Sequence, residues 1–381
     1  MDNLRQKINT HTIPFIEGAN KLSVRRSNIL EDSRERFHTF DNHKELKILF
    51  EGENKSAASD AGGLSKEWFT VVSQELLNPE NKYFSLWDSD KLSYFISEDS
   101  EEWKDKDDMY YFVGLFMAKA LFDKIPLNLW LSKAIYKYIL DEDSLTLDEL
   151  KDFDQPLYHS LKYISENNIN DGIWDEMYFT HLRKNGVEEE LTPGGKKIGV
   201  NEGNKFELIW VKIQFVSKEI VEAQLNSLKN GFFSLIKQKW IKDFKSDELE
   251  LAIWGETNID LKDWIINTVY KGDYNHRHQV IRWFWDWMAD YSQEELTKVL
   301  QFWTGTPRLP VGGFKALEGN RGSKSPFTIE ETTYSDSSPY PRAHTCFNRL
   351  QLPKYGSYKD LKKYMDFIVN QEQIYGFGLE D

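Results

Sequence analysis

The sequence predicts an α+β fold that is divided into two lobes, and three observations support this prediction. The chain has 381 residues, which is more than one hydrophobic core usually organises. The residues after position 260 interleave strand-like and helix-like segments, which is typical of a compact α/β lobe. A short polar break at residues 255–258 separates this lobe from a larger, mostly helical part. We therefore expect two bodies joined by a short linker.

The amino-terminal part contains elements with clear hydrophobic periods. Residues 46–50 alternate apolar with charged side chains, which predicts a strand. Residues 64–76 carry apolar side chains at helical spacing until Asn78-Pro79 ends the predicted helix. Residues 110–122 are apolar nearly all round, which predicts a buried helix, and Gly114 within it would let another element approach closely.

Residues 150–245 differ from the rest, because a helix-like segment is followed there by several short segments without a clear helical period. A helix is expected to begin at Pro156. Three segments are short, and apolar and polar side chains partly alternate along them: residues 177–179, 197–200 and 208–211. The sequence of this region lacks the spacing of a phosphate-binding loop, so ATP binding is not supported.

The carboxyl-terminal lobe is predicted to contain both element types. Trp283 and Trp287 share one face of a helix, and packing is a sufficient explanation for them. Gly305 is expected to end a further helix. Residues 327–330 predict a strand, and residues 358–369 predict a helix.

Charge and composition exclude several classes of function. The formal net charge is −14; residues 260–381 hold 15 Lys and Arg against 16 Asp and Glu, a net of −1, so the rest carry −13. Nucleic-acid binding is not expected from either half, since phosphate recognition needs a basic surface. The sequence has no apolar run of bilayer length, so we expect no membrane span. The scarcity of cysteine favours a reducing compartment, the cytoplasm, with the nucleus as an alternative.

Cys346 is the only cysteine in the chain, so it cannot form an internal disulfide or a two-cysteine metal site. It is either a small buried hydrophobe, as most free cysteines are, or a nucleophile. Its neighbours are cationic or polar, whereas a core cysteine is usually flanked by aliphatic residues: Arg342, His344, Thr345 and Asn348. Cationic neighbours favour the thiolate form of a cysteine. They therefore favour the role of Cys346 as a nucleophile.

The run from Pro341 to Leu350, with Leu352-Pro353 and Tyr355 after it, resembles the active-site segment of the HECT ubiquitin ligases, most of all the Nedd4-like subgroup. Residues 50–69 are similar to a second HECT motif. The resemblance runs from about Leu22 to the carboxyl terminus. It implies a bilobal HECT domain with a mostly helical N-lobe, a small mixed subdomain within that lobe, a hinge and a compact α/β C-lobe.

The resemblance also implies where these parts begin and end. The N-lobe would comprise residues 1–252, with its small subdomain at about residues 155–230, and the C-lobe would comprise residues 260–381. Between them, residues 253–259 form the expected hinge. Gly255 is its expected pivot, because a hinge needs only a few residues that absorb dihedral change.

The function that the resemblance implies is that of a HECT-type ubiquitin-protein transferase. Cys346 would accept ubiquitin from a ubiquitin-conjugating enzyme as a thioester and pass it to a lysine of a protein substrate. Thioester exchange keeps the acyl group activated, so no ATP, metal or other cofactor is expected. The paired His276 and His278 lack further metal ligands in the nearby sequence and predict a surface loop.

Further catalytic residues are implied by the same resemblance. Asp60 matches an acidic residue that faces the thioester and helps to receive or orient the substrate lysine; it can also cap the following helix. His344 would tune the thiol of the cysteine, and Thr345 lies directly before that cysteine. Phe377 resembles a phenylalanine of the family's tail, and Glu380-Asp381 supply further carboxylates that could assist the attacking amine.

An apolar groove in the small subdomain is the implied docking site for the conjugating enzyme. The matching positions are Leu157, Leu161, Met177, Leu208 and Trp210. Each of these side chains can equally be an ordinary core residue.

Two other functions compete with the transferase. A binding module of the same shape would recruit conjugating enzymes without accepting ubiquitin. A cysteine protease would need a histidine base with its own orienting Asn or Asp and a protease signature around the cysteine, and the sequence shows neither. The intact segment around Cys346 favours the transferase over both.

Overall fold

A computed structural model describes residues 2–52, 63–88, 93–169, 177–317, 325–335 and 339–369. Asp60, Phe377 and residues 380–381, all predicted to belong to the site, lie outside these ranges. For Cys346 the backbone alone is described.

The described residues form helices and short strands, which confirms the predicted α+β class. The α-helices are α1 (Asp2–His11), α2 (Ile29–Phe37), α3 (Gly63–Leu77), α4 (Lys106–Asp123), α5 (Lys133–Ile139), α6 (Gln155–Glu166), α7 (Lys205–Ser217), α8 (Glu222–Phe233), α9 (Gln238–Ile241), α10 (Ser246–Trp254), α11 (Leu261–Ile266), α12 (Gln279–Ala289), α13 (Gln293–Thr304) and α14 (Tyr358–Val369). The strands are β1 (Asn20–Val24), β2 (Leu46–Phe50), β3 (Phe84–Asp88), β4 (Ser93–Ile96), β5 (Thr180–Leu182), β6 (Glu188–Glu190), β7 (Val269–Lys271), β8 (Thr328–Thr332), β9 (Arg342–His344) and β10 (Arg349–Pro353). In the described part of the chain, none of these helices is long and apolar enough to cross a membrane.

The chain divides into two compact units. The first comprises Met1–Ser73, Lys119–Asn128 and Leu251–Asp381, and the second comprises Gln74–Ala118 and Leu129–Glu250. The first unit therefore joins amino-terminal residues to carboxyl-terminal ones. The predicted boundary between an N-lobe and a C-lobe at residues 253–259 follows chain order instead, and it stays a prediction.

In the first unit, β1 and β2 form a parallel pair with Leu22 opposite Ile48. Burial alternates strictly along β2, which confirms the strand predicted for residues 46–50. The helix predicted for residues 64–76 is also confirmed as α3, which begins in the first unit and ends at Leu77 of the second, directly before Asn78-Pro79. A helix does not continue easily into a residue that precedes proline, so this end is set locally.

The carboxyl-terminal part of the first unit is built on a sheet with the strand order β7-β8-β10-β9. Strands β7, β8 and β10 are parallel to one another, and β9 runs antiparallel to β10. The side chains of Ile329, Leu350 and Leu352 are completely buried. The predicted strand and the predicted final helix are confirmed as β8 and α14.

Aromatic rings fill the core beneath this sheet. Trp264 stacks on Phe314 at 4.5 Å between ring centroids, and Trp303 meets Phe327 edge-on at the same distance. Aromatic pairs of this kind contribute about 0.5–1.5 kcal/mol beyond the apolar area that they bury. This core holds α11, α13 and β8 together, and β8 lies beside β10, which follows Cys346.

In the second unit, α4 and α8 cross at two glycines. A β-carbon on Gly114 would lie 1.8 Å from the carbonyl oxygen of Leu228, and one on Gly231 would lie 1.9 Å from the carbonyl oxygen of Tyr111. The close approach predicted at Gly114 is therefore confirmed. Any larger side chain at either position would force the two helices apart.

The small subdomain contains α6, α7 and the β5–β6 hairpin. The helix predicted to begin at Pro156 is confirmed, with the side chain of Asp154 capping it through the N–H of Leu157. The prediction of a short, partly alternating segment at residues 208–211 is wrong, because these residues lie inside α7. Leu208 is buried while Trp210 is exposed, as an α-helix also allows for side chains about 200° apart.

Candidate active site

Cys346 lies in one turn of 3-10 helix, Thr345–Phe347, which joins the antiparallel strands β9 and β10. We call residues 345–348 the cysteine turn. Asn348 closes it with a left-handed backbone conformation at φ +48°, which asparagine tolerates better than most residues. Thr345 and Asn348 are buried, whereas Phe347 is half exposed.

Hydrogen bonds fix the backbone of the cysteine turn to the residues that precede and begin β8. The side-chain amide of Asn348 donates to the carbonyl oxygen of Ser325 at 2.9 Å, and the backbone carbonyl oxygen of Asn348 accepts from the N–H of Thr328 at 2.9 Å. The hydroxyl of Ser325 donates to the carbonyl oxygen of Phe347 at 2.7 Å. Thr328 and Asn348 are buried, so water competes little for the bond between them, whereas the bond from Ser325 to Phe347 is exposed. Together the three bonds fix the backbone of the turn.

A lysine from the first part of the chain also binds the cysteine turn. The Nζ of Lys66 donates to the carbonyl oxygen of Thr345 at 3.2 Å and to the Oδ1 of Asn348 at 3.3 Å. It donates as well to the carbonyl oxygen of Thr304, the last residue of α13, at 3.1 Å. Sequence analysis missed this residue, although it lies within the second motif that resembled the HECT ligases, at residues 50–69.

The helix that carries Lys66 is anchored on its other side. The hydroxyl of Ser65 donates to the carbonyl oxygen of Leu46 at 2.7 Å, and the indole N–H of Trp68 donates to the hydroxyl of Ser33 at 2.8 Å. Glu67 forms an ion pair with Arg26 at 2.7 Å. The start of α3 is therefore fixed to β2, to α2 and to Arg26, which precedes α2.

Of the cationic and polar neighbours predicted around Cys346, Arg342 and His344 lie in β9, while Thr345 and Asn348 belong to the cysteine turn. His344 is exposed at the end of β9, where it pairs with Arg349 of β10. The guanidinium of Arg349 lies 3.2 Å from the carboxylate of Glu330 and 5.6 Å from the ring centroid of Phe347. Burial by itself raises the pKa of Glu330, but hydrogen bonds from Gln351 and the charge of Arg349 outweigh it and hold that pKa below its usual value.

The expected pivot, Gly255, has the left-handed conformation that suits glycine, with φ +74°. It directly follows α10, and the next residue, Glu256, pairs with Leu309 through its backbone. The carboxylate of Glu256 also accepts from the N–H of Gly312 at 2.7 Å. The segment after α10 is therefore tied to the loop that follows α13.

The positions predicted to bind the conjugating enzyme differ in exposure. Leu161 on α6 and Leu208 on α7 are each 3% exposed, so their side chains lie inside the subdomain. Leu157 and Met177 are partly buried. Trp210 is 63% exposed on α7.

An exposed aromatic residue that the sequence analysis did not single out lies beside Trp210. Phe206 is also 63% exposed, and it lies four residues earlier on the same helix. Side chains four residues apart share one helix face, so the two rings form one apolar patch. A large apolar side chain at this spacing from a predicted contact residue was the signal that could have found it.

Comparison with known proteins decides the family. The sequence model of one family, described as HECT-domain (ubiquitin-transferase), matches residues 70–380, which include the cysteine turn. The chain belongs to the HECT family. In the described part of this HECT chain, no group of three or more His, Cys, Asp or Glu side chains is placed to hold a metal ion.

Named relatives agree with this assignment. The chain is 36% identical over 97% of its length to the E3 ubiquitin-protein ligase pub1 of Schizosaccharomyces pombe, of which the match covers 47%. It is 36% identical over 93% of its length to the mouse E3 ubiquitin-protein ligase NEDD4, of which the match covers 40%. The mouse E3 ubiquitin-protein ligase HUWE1 is 35% identical over 93% of the chain, and the match covers 8% of it. The HECT chain thus spans less than half the length of these relatives.

Proposed function

We propose that this HECT chain is a ubiquitin-protein transferase that carries ubiquitin as a thioester on Cys346. The observation that carries the proposal is the position of the only cysteine, in a hydrogen-bonded turn between two strands and within the part of the chain that matches the family. A short turn between two strands can present a nucleophile to a partner protein, as binding and catalytic residues often lie on connections that a rigid scaffold positions. The partners are ubiquitin, a ubiquitin-conjugating enzyme and protein substrates.

In the first step, the thiolate of Cys346 attacks the thioester carbonyl that joins ubiquitin to the conjugating enzyme. The new carbon–sulfur bond forms as the old one breaks, and the cysteine of the conjugating enzyme leaves as a thiolate. The thiol proton of Cys346 passes to solvent and the leaving thiolate recovers one. An ordinary cysteine has a pKa of about 8.5, so a few per cent is already ionised near neutral pH.

In the second step, the amine of a substrate lysine attacks the thioester on Cys346. A carbon–nitrogen bond forms, the carbon–sulfur bond breaks, and Cys346 leaves as a thiolate. The reference pKa of lysine is about 10.4, so the attacking amine must lose a proton on the way. Asp60 is our first candidate for orienting that amine, with the carboxylates of Glu380 and Asp381 as further candidates and Phe377 as part of the tail that carries them.

Conjugating enzymes are proposed to dock on the surface of α6 and α7. Exposed apolar side chains on a monomer mark binding surfaces when they are grouped, as Phe206 and Trp210 are. Leu157 and Met177 contribute their exposed parts. Leu161 and Leu208 are buried, so they do not contact the enzyme directly. They support the surface by packing the helices α6 and α7 that form it.

Movement about residues 253–259 is proposed to bring Cys346 from the conjugating enzyme to the substrate. The N-lobe of this proposal comprises residues 1–252, with the small subdomain at about residues 155–230, and the C-lobe comprises residues 260–381. Gly255 supplies the conformational freedom at the pivot. We place the activity in the cytoplasm or the nucleus, because a catalytic thiol needs a reducing compartment.

One assay tests the proposal and separates it from its rivals. The chain is incubated with a charged conjugating enzyme and run on a non-reducing gel. We expect a ubiquitin adduct that thiol reagents remove, that Cys346→Ala abolishes, and that Cys346→Ser converts into a thiol-resistant ester.

Three other outcomes would contradict parts of this proposal. A module that only recruits the conjugating enzyme would bind it and give no adduct. A cysteine protease would cut linked ubiquitin without taking it from the conjugating enzyme. An adduct that persists in Cys346→Ala would overturn the assignment of the nucleophile.

A further inference from the structure

We propose that Lys66 is a positioning residue for the second step, in which ubiquitin passes from Cys346 to the acceptor amine. This inference rests on the proposed function. It starts from one contact: the ammonium of Lys66 binds oxygens from three places, the end of α13, the residue before Cys346 and the residue two positions after it. An ammonium has three N–H donors, so one side chain can bind all three oxygens together.

Electrostatics favours a cation at this point. The carboxyl-terminal end of an α-helix carries a partial negative charge on its last carbonyl groups, and Thr304 is the last residue of α13. Hydrogen bonds from a charged donor are about twice as strong as those between neutral groups. Lys66 is half-buried, so water competes less for these bonds than at an open surface.

Three elements meet closely around this ammonium. A β-carbon on Gly305 would lie 3.4 Å from the β-carbon of Thr345 and 3.6 Å from the β-carbon of Lys66. Gly305 ends α13 with φ +78°, so the lack of a side chain serves both the helix end and the close packing. Since α3 is anchored by Ser65 and Trp68, Lys66 joins a fixed platform to the cysteine turn.

The connectivity of the chain assigns this contact to the second step. Helix α3 begins at Gly63, three residues after Asp60, and three residues span at most about 11 Å. Lys66 therefore binds the cysteine turn to the helix that follows Asp60 in the chain. Accepting ubiquitin from a conjugating enzyme needs Cys346 but not Asp60. Only transfer to an amine uses both.

The test separates the two steps in single-turnover reactions. The chain is loaded with ubiquitin from a charged conjugating enzyme, loading is stopped, and free lysine is added while the thioester is followed on non-reducing gels. We expect Lys66→Met to slow discharge about tenfold, since three charge-assisted hydrogen bonds are lost. Its loading rate should stay within about twofold of wild type.

Two further variants keep the result interpretable. Lys66→Arg retains a cation with several donors and should discharge within about twofold of wild type, which a loss caused by misfolding would not allow. Lys21→Met, at an exposed lysine of β1, controls for the loss of one positive charge and should change neither step. Thermal unfolding of all three variants checks that they are folded.

The outcomes distinguish this inference from the proposed function. The role of Lys66 would be overturned if Lys66→Met discharged ubiquitin at the wild-type rate, or if its rates of loading and discharge fell equally. Neither result would contradict the transferase. Failure of Lys66→Arg to restore discharge would also overturn it. Absence of any thiol-sensitive adduct in the wild-type chain would instead contradict the transferase itself.

Discussion

A β-carbon on Gly255 would lie 2.1 Å from the carbonyl oxygen of Leu309, so the backbone at the proposed pivot passes directly over that residue. The same carbonyl oxygen accepts a hydrogen bond from the N–H of Glu256 at 2.7 Å, and the N–H of Leu309 donates back to Glu256 at 3.3 Å. The pivot is therefore not a loose linker in this structure. Movement about it requires the two hydrogen bonds to break or to shift.

We predict that Gly255→Ala lowers the free energy of unfolding by more than 2 kcal/mol. The left-handed conformation costs a non-glycine residue about 1–2 kcal/mol, and the clash with Leu309 adds to that cost. Gly194→Ala is the matched control, because Gly194 is also left-handed, with φ +77°, but its added β-carbon would meet no atom within 4 Å. Denaturant unfolding of both variants measures the difference. Equal losses would show that the contact with Leu309 relaxes freely.

The surface proposed for the conjugating enzyme predicts opposite outcomes at two neighbouring positions. Trp210→Ala should raise the KM for the charged conjugating enzyme several-fold, while its stability stays within about 0.5 kcal/mol, since the ring is mostly exposed. Leu208→Ala should cost about 2–5 kcal/mol of stability, because it empties a buried site. Initial rates of loading and denaturant unfolding measure the two effects. An unchanged KM in Trp210→Ala would remove this surface from the docking site.

Local patterns predicted several elements correctly for physical reasons. Strand β2 alternates because one of its faces is buried, and α14 repeats at helical spacing because it packs along one stripe. Helix α7 was misread because apolar side chains occupy both its buried and its exposed faces, as Leu208 and Trp210 show. An apolar residue kept on the surface for binding weakens the period from which a helix is recognised.

The contact of Lys66 could not be predicted from local patterns. Its acceptors lie 238, 279 and 282 residues further along the chain, so no spacing in the sequence relates them. The segment around Cys346 was recognisable as a motif, yet its conformation depends on Asn348 and on Ser325, which lies in another segment. The sequence therefore predicted the reactive residue, Cys346. The residues that hold its turn in place, Lys66 and Ser325, could be identified only from the folded structure.

The left-handed conformation of Asn348 predicts an order among its substitutions. Both Asn348→Ala and Asn348→Gly lose the side-chain bonds to Ser325 and Lys66, and both should be less stable than wild type. Alanine should cost about 1 kcal/mol more than glycine, since only glycine adopts φ +48° without strain. Denaturant unfolding gives the order. A more stable alanine variant would mean that the turn abandons this conformation when the side chain is removed.

Glu250 on α10 predicts a specific pH dependence of stability. Burial, assisted by the negative charge of Asp247 and opposed by Lys133, raises the pKa of Glu250 to about 7. The folded state therefore binds a proton more tightly than the unfolded state, whose carboxyl has an ordinary pKa of 4.5. Between these two values the folded state holds more protons, so the stability that this group contributes is present below pH 4.5 and is lost as the pH rises toward 7.

Replacing the carboxyl group of Glu250 with a neutral amide should remove the loss of stability that occurs as the pH rises. We expect Glu250→Gln and wild type to differ least near pH 4.5, and the variant to gain on wild type as the pH rises, by about 1–3 kcal/mol at pH 8. Denaturant unfolding of both proteins at half-unit intervals from pH 4.5 to 8 measures the gap. If the difference in stability between the two proteins is constant across this range, Glu250 ionises alike in the folded and unfolded chains. If the difference shrinks as the pH rises, folding lowers the pKa of Glu250 instead of raising it.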